Sequence, residues 1–162
     1  MFTIPVSVGG RRELYNQTTA AFEGRIPEEW NQGQFPAGIN MAISHVRIGY
    51  ATDGTVTVPE GDVDYVTQPN SWPAALRNSQ IVISQGGKEV VRFRAMYAGT
   101  QAASVNNAVE GDGLEFQRPF ILEEQKQTKI EIITPQGQTF PGTPAGLFLE
   151  IALFGVIVRP AN

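Results

Sequence analysis

Leu147-Phe148-Leu149-Glu150-Ile151-Ala152-Leu153-Phe154-Gly155-Val156-Ile157-Val158 is the stretch that decides the fold. Only Glu150 and Gly155 interrupt its apolar run. β-Branched and aromatic residues dominate the second half, which favours a strand. Fully extended, the stretch spans roughly 40 Å at about 3.3 Å per residue. An apolar run carries no period of its own, so a buried helix is the alternative reading. A membrane helix is excluded, because it needs about 20 apolar residues and Glu150 sits inside this run. Both faces of the strand are apolar, so a single solvent-facing side does not describe its surroundings. The strand is expected to lie centrally, with one face on the domain core and the other covered, in a small antiparallel protein, by another subunit.

The remaining composition agrees with many short strands. A chain of 162 residues is large enough for one domain with its own core. Its 17 glycines and 11 prolines are scattered, which suits turns between strands and not a low-complexity linker. The net charge of −4 comes without a basic stripe, which argues against phosphate neutralisation and hence against nucleic acid as a partner. Cysteine is absent, so disulfides and thiol chemistry are excluded. Met1 to Val8 shows neither a basic region nor a long apolar stretch, so no secretory signal is read there. Lysine is scarce while glutamine and asparagine are common, a neutral surface compatible with protein contacts.

Along the chain, Phe2 to Val8 alternates around Pro5 and reads as an edge strand or extended arm. Gly9-Gly10-Arg11-Arg12 breaks it, and Glu13 to Ile39 has no sustained period. Pro27-Glu28-Glu29-Trp30 suits a single helical turn. Residues 1–39 are therefore read as a largely irregular N-terminal arm, and residues 40–162 as the body. In Asn40 to Thr52, Met41 and Ile43 share one parity and Val46, Ile48 and Tyr50 the other. One extra residue near Ser44 or His45 restores a single apolar face, which predicts a β-bulge there. Thr55 to Val58 and Val63 to Val66 read as short strands, and Gln68 to Ala75 as a loop.

Gln80 to Tyr97 reads as a hairpin. A three-residue loop Gln85-Gly86-Gly87 with a left-handed Gly87 places Ile81, Ile83, Val91, Phe93 and Tyr97 on one face. Arg92 and Arg94 then point outward. Leu114 to Phe116, Phe120 to Leu122 and Thr128 to Ile133 are further strand pieces, separated by Gly- and Pro-bearing loops. The expected fold is all-β: an antiparallel β-sandwich of jelly-roll type with about eight strands and no amphipathic helix.

Chemistry is sparse. His45 is the single histidine, at the expected bulge, where a structural role outweighs a catalytic one. No phosphate loop, dinucleotide fingerprint or zinc spacing is present, so no enzyme activity and no cofactor are expected. Glu60, Asp62 and Asp64 are the candidate metal ligands, as hard oxygens suited to calcium. They lack the spacing of a calcium loop, and alternate acids also describe one outward strand face. Trp72 and Tyr50, with Trp30 and Tyr97, are candidates for stacking on a sugar. The bland reading has Trp72 capping one end of the sandwich.

In this layout the chain resembles the small single jelly-roll virion proteins of bacteriophages, both capsid and cement (decoration) proteins. The resemblance rests on the arm through Ile39, the eight-stranded body, the few lysines, the absence of cysteine and the long apolar last strand ending at Arg159-Pro160. Phe116-Gln117-Arg118-Pro119-Phe120-Ile121-Leu122 before a short strand is also similar. It implies a non-enzymatic component of the virion, assembled in the host cytoplasm. Its implied partners are itself, as a homotrimer, and the major capsid protein or other virion proteins. Phe2, Ile4, Arg11, Arg12, Trp30, Phe148 and Phe154 are the expected assembly contacts. The alternative is a carbohydrate- or receptor-binding jelly-roll module such as a phage fibre tip.

Overall fold

The computed structural model describes residues 2–3, 11–15, 33–52, 65–100, 113–138, 140 and 147–159. Of these, 2–3, 11–15, 52, 147 and 148 are described by their backbone alone. Eight strand segments appear in order: β1 Phe2–Thr3, β2 Arg11–Tyr15, β3 Asn40–Thr52, β4 Gln80–Gln85, β5 Lys88–Arg94, β6 Leu114–Leu122, β7 Thr128–Ile133 and β8 Leu147–Val158. They form two antiparallel sheets, ordered β1-β8-β3-β6 and β2-β7-β4-β5. The deciding stretch is thus a strand. It pairs with β3 over twelve positions, from Asn40↔Val158 to Thr52↔Leu147. The only described helix is the five-residue α1, Ala74–Asn78, beside short 3-10 turns at Pro69–Ser71 and Ala95–Ala98.

The core lies between the sheets. Ile43, Val46, Ile48 and Leu149 meet Ile81, Ile83, Ile130 and Ile132, all buried. Each such aliphatic side chain contributes about 1.5–3 kcal/mol on burial. The parity break in β3 is real. Its register with both neighbours shifts between Ile43 and His45, which leaves Ser44 as the extra residue. Met41, Ile43, Val46, Ile48 and Tyr50 consequently all face inward and are all buried. The bulge brings the β3 backbone against β8. A Cβ on Gly155 would collide with the carbonyl oxygen of Ala42. Gly155 therefore interrupts the apolar run because close backbone approach requires it.

β6 is one strand where the sequence suggests two pieces. Opposite Ser44 it carries the four residues Phe116 to Pro119 between the pairs His45↔Glu115 and Ile43↔Phe120. Phe116 uses this excursion to meet Phe120 edge-on at 5.2 Å and Phe93 of the other sheet at 6.1 Å. These T-shaped contacts fasten one side of the sandwich.

The hairpin corrects the expected loop. The turn has two residues, Gly86 and Gly87, with φ of +57° and +79°, as a tight hairpin turn requires. Gln85↔Lys88 and Ser84↔Glu89 follow, and then the register shifts so that Ile83 faces Val91 and Ile81 faces Phe93. The extra residue is Val90, so a bulge does what a longer loop was expected to do. The faces come out as expected for Ile81, Ile83, Val91 and Phe93, with Arg92 and Arg94 exposed. Tyr97 does not join them. It falls in the turn after β5 and is 54 % exposed.

The described residues before Asn40 join the body. Where it is described, the preceding chain supplies β1 to one sheet and β2 to the other. Phe35 is 1 % exposed within the core. Residues 33–40 are tied to the β6–β7 connection: Gln125 N–H donates to the Phe35 carbonyl at 2.8 Å and Thr128 N–H to that of Gly33 at 2.9 Å. Glu124 N–H donates to Asn40 Oδ1 at 2.9 Å. Buried Gln85 braces the same connection, donating to the Glu123 carbonyl at 2.9 Å while accepting from Glu123 N–H at 2.7 Å. Short edge strands and a single buried aromatic leave no period in sequence, which explains the irregular appearance. The expected turn at 27–30 and strand at 55–58 lie outside the described residues.

At the end of the sandwich Trp72 is 3 % exposed and donates through Nε1 to the Val66 carbonyl at 2.7 Å. Tyr50 is buried nearby in sheet order, bridged to Val66 through both backbone hydrogen bonds. Its phenol, pushed above its usual pKa by burial, meets no hydrogen-bond partner among the described residues.

Two outcomes test this packing. Gly155→Ala should lower unfolding free energy by about 1–3 kcal/mol, because a methyl is forced into backbone at the bulge. Urea unfolding with less than about 0.5 kcal/mol lost would contradict that close approach. Tyr50→Phe removes a buried hydroxyl that lacks a partner, so stability should hold or rise. A thermal melt showing a loss above about 1 kcal/mol would mean that the hydroxyl makes a contact after all.

Candidate interaction face

Strand alternation gives the β1-β8-β3-β6 sheet an outer face. On β8, Leu149, Ile151, Leu153 and Ile157 pack toward the core. Glu150, Ala152, Phe154, Val156 and Val158 therefore point away from it. On β3 the residues opposite the buried set are Ala42, His45, Arg47 and Gly49, and on β6 they include Glu115 and Ile121. Register turns these into rows across the sheet. Ile121, Ala42 and Val156 form one row. Glu115, His45 and Phe154 form the next.

Two of the three residues of the first row are exposed. Val156 is 68 % exposed, Ile121 55 % and Val158, two residues along, 51 %. Singly exposed aliphatics are ordinary, but adjacent ones on a flat sheet face form a patch.

The second row grades into charge. His45 stacks flat on Phe154, with centroids 4.2 Å apart and planes 1° from parallel. The Arg47 guanidinium carbon lies 5.5 Å from the Phe154 centroid, within cation–π range. Arg47 approaches the Glu150 carboxylate only to 3.9 Å, and its buried Nε finds no hydrogen-bond partner among the described residues. That ion pair is loose and half-exposed, worth at most about 1 kcal/mol. Ser44, the bulge residue, donates to the Phe154 carbonyl at 3.3 Å. The bulge thereby sets His45 directly over Phe154.

Of the expected assembly contacts, Phe154 lies on this face. Phe148 belongs to β8 opposite Ala51, and Phe2 to β1 opposite Leu149. Arg11 and Arg12 lie in β2, paired with Ile133 and Ile132 on the other sheet, so they do not share the face. Ile4, Trp30, Glu60, Asp62 and Asp64 lie outside the described residues. Among the described residues no group of three or more His, Cys, Asp or Glu converges as a metal site would need. The stacking candidates are corrected. Trp72 and Tyr50 are core residues at 3 % and 6 % exposure, with no ring face offered to a sugar.

Ile121 escaped sequence reading, since only the β3–β6 register brings it beside Ala42 and Val156. The signal that did exist was the two-sided apolar character of β8, which required something on its outer side. No family model, curated protein or solved structure matches the chain.

Proposed function

We propose that this protein is a non-enzymatic structural subunit that works by self-assembly, a jelly-roll building block of a viral particle in a capsid or cement role. The observation that carries the reading is the pair of exposed apolar side chains Ile121 and Val156 flanking Ala42, on a sheet whose opposite face packs on the core. Burying such a patch against protein contributes about 25 cal/mol per Å² of apolar area, and a solitary domain gains nothing from leaving it wet.

The jelly-roll assignment is supported by strand order. Sheets ordered β1-β8-β3-β6 and β2-β7-β4-β5 place the first strand beside the last and interleave the others between two layers. Two interlocked Greek keys of four strands each have this arrangement. The same architecture serves capsid, lectin and enzyme proteins, so it agrees with the resemblance without carrying the function. A trimer and a contact to a major capsid protein are what the resemblance adds. The sugar- or receptor-binding alternative loses two of its rings, because Trp72 and Tyr50 belong to the core. The non-enzymatic reading rests on the single histidine and absent cysteine of the sequence.

Sedimentation equilibrium of the purified chain across a wide concentration range tests self-assembly. Masses of two or more chains at the upper end are expected. A protein that stays monomeric throughout, and does not bind capsid shells when mixed with them, would overturn the reading.

A further inference from the structure

The outer face is self-complementary. A two-fold axis lying along the strands, between β3 and β8, lays β3 of one copy over β8 of another. The register then sets Ala42 against Val156, His45 against Phe154 and Arg47 against Ala152, whereas Gly49 is buried under Tyr65 of its own chain. In two of these three pairs a small residue receives a larger one, as interdigitating sheet faces about 10 Å apart require. Charge agrees as well. Arg47 of one copy arrives beside Glu150 of the other, and the axis generates the same contact a second time.

Arg47 has capacity for that contact. Its own-chain carboxylate stands only at 3.9 Å, and its side chain is 21 % exposed. Glu150 is 37 % exposed and accessible from the outer side. At the apolar end Val156, 68 % exposed, lies over Ala42 of the other copy and Val158 over Asn40.

We infer that the outer face of the β1-β8-β3-β6 sheet is a two-fold docking surface for a second copy of this chain, with Arg47 of each copy paired to Glu150 of the other. The inference rests on the self-assembly reading and adds its surface and symmetry. An isologous contact joins copies in pairs, so it is separate from any three-fold contact of a trimer.

Reciprocal charge reversal tests it. Arg47→Glu alone and Glu150→Arg alone each place like charges across the contact twice, and each should weaken pairing by about tenfold or more. Mixed together, the two variants place opposite charges at both positions of a hetero-pair. Their mixture should regain near wild-type association by sedimentation, although each chain still carries a like-charge pair of its own. Val156→Asp, at an exposed position that cannot harm the core, should also abolish pairing. Wild-type protein that never associates defeats the self-assembly reading itself. Wild-type association that survives either charge reversal or Val156→Asp places the contact elsewhere and defeats only this inference. Loss in both charge variants without recovery on mixing defeats it as well.

Discussion

The antiparallel ladder between β3 and β8 is the constraint on which the rest depends. It is the longest pairing among the described residues, joining residues far apart in sequence at twelve positions. Its inner side contributes Ile43, Val46, Ile48 and Leu149 to the core. Strand geometry then leaves no freedom for the outer side. Every residue between the inward ones must face away, apolar or not. The ladder closes only because β3 carries one residue more than β8 needs. Ser44 absorbs it, and Gly155 gives the crowded backbone room. Without the bulge, one half of β3 would turn its apolar side chains outward.

Much of this was legible in residue order. The switch of parity between Ile43 and Val46 located the bulge, and the apolar run located β8. Inward and outward residues of the hairpin, Tyr97 excepted, also came out correctly, yet through different geometry. Two glycines with positive φ make the turn and Val90 makes the slip, a distinction that alternation alone does not encode. What sequence order hid was non-local. Phe35 enters the core and Arg11–Tyr15 forms β2 from stretches with no period, whereas Phe2–Thr3 falls where an edge strand is expected. Trp72, between Asn70 and Pro73, allows two readings, a ring offered to a sugar or a cap on the sandwich; it is buried, and its indole N–H is satisfied by the Val66 carbonyl.

The outer face was half legible. Two-sided apolarity of β8 implied a cover, but the rows that give the face its shape depend on register with β3 and β6. Those rows combine an apolar end with a charged and aromatic flank. Arg47 and Glu150 sit together without satisfying each other, and His45 rests on Phe154. Such a flank adds little to the stability of an isolated chain, since half-exposed ion pairs contribute weakly. Desolvated against a matching surface, the same groups fix orientation and exclude wrong partners.

One measurement reaches both sides of the ladder at once. Methyl relaxation by a soluble paramagnetic agent, recorded on dilute and concentrated protein, reports which side chains face solvent. The account predicts that Leu149, Leu153 and Ile157 stay shielded at both concentrations. Val156, Val158 and Ile121 should be strongly relaxed when dilute and shielded when concentrated. Equal relaxation of those three at both concentrations, in a sample shown by its mass to have associated, would contradict the assignment of the outer face.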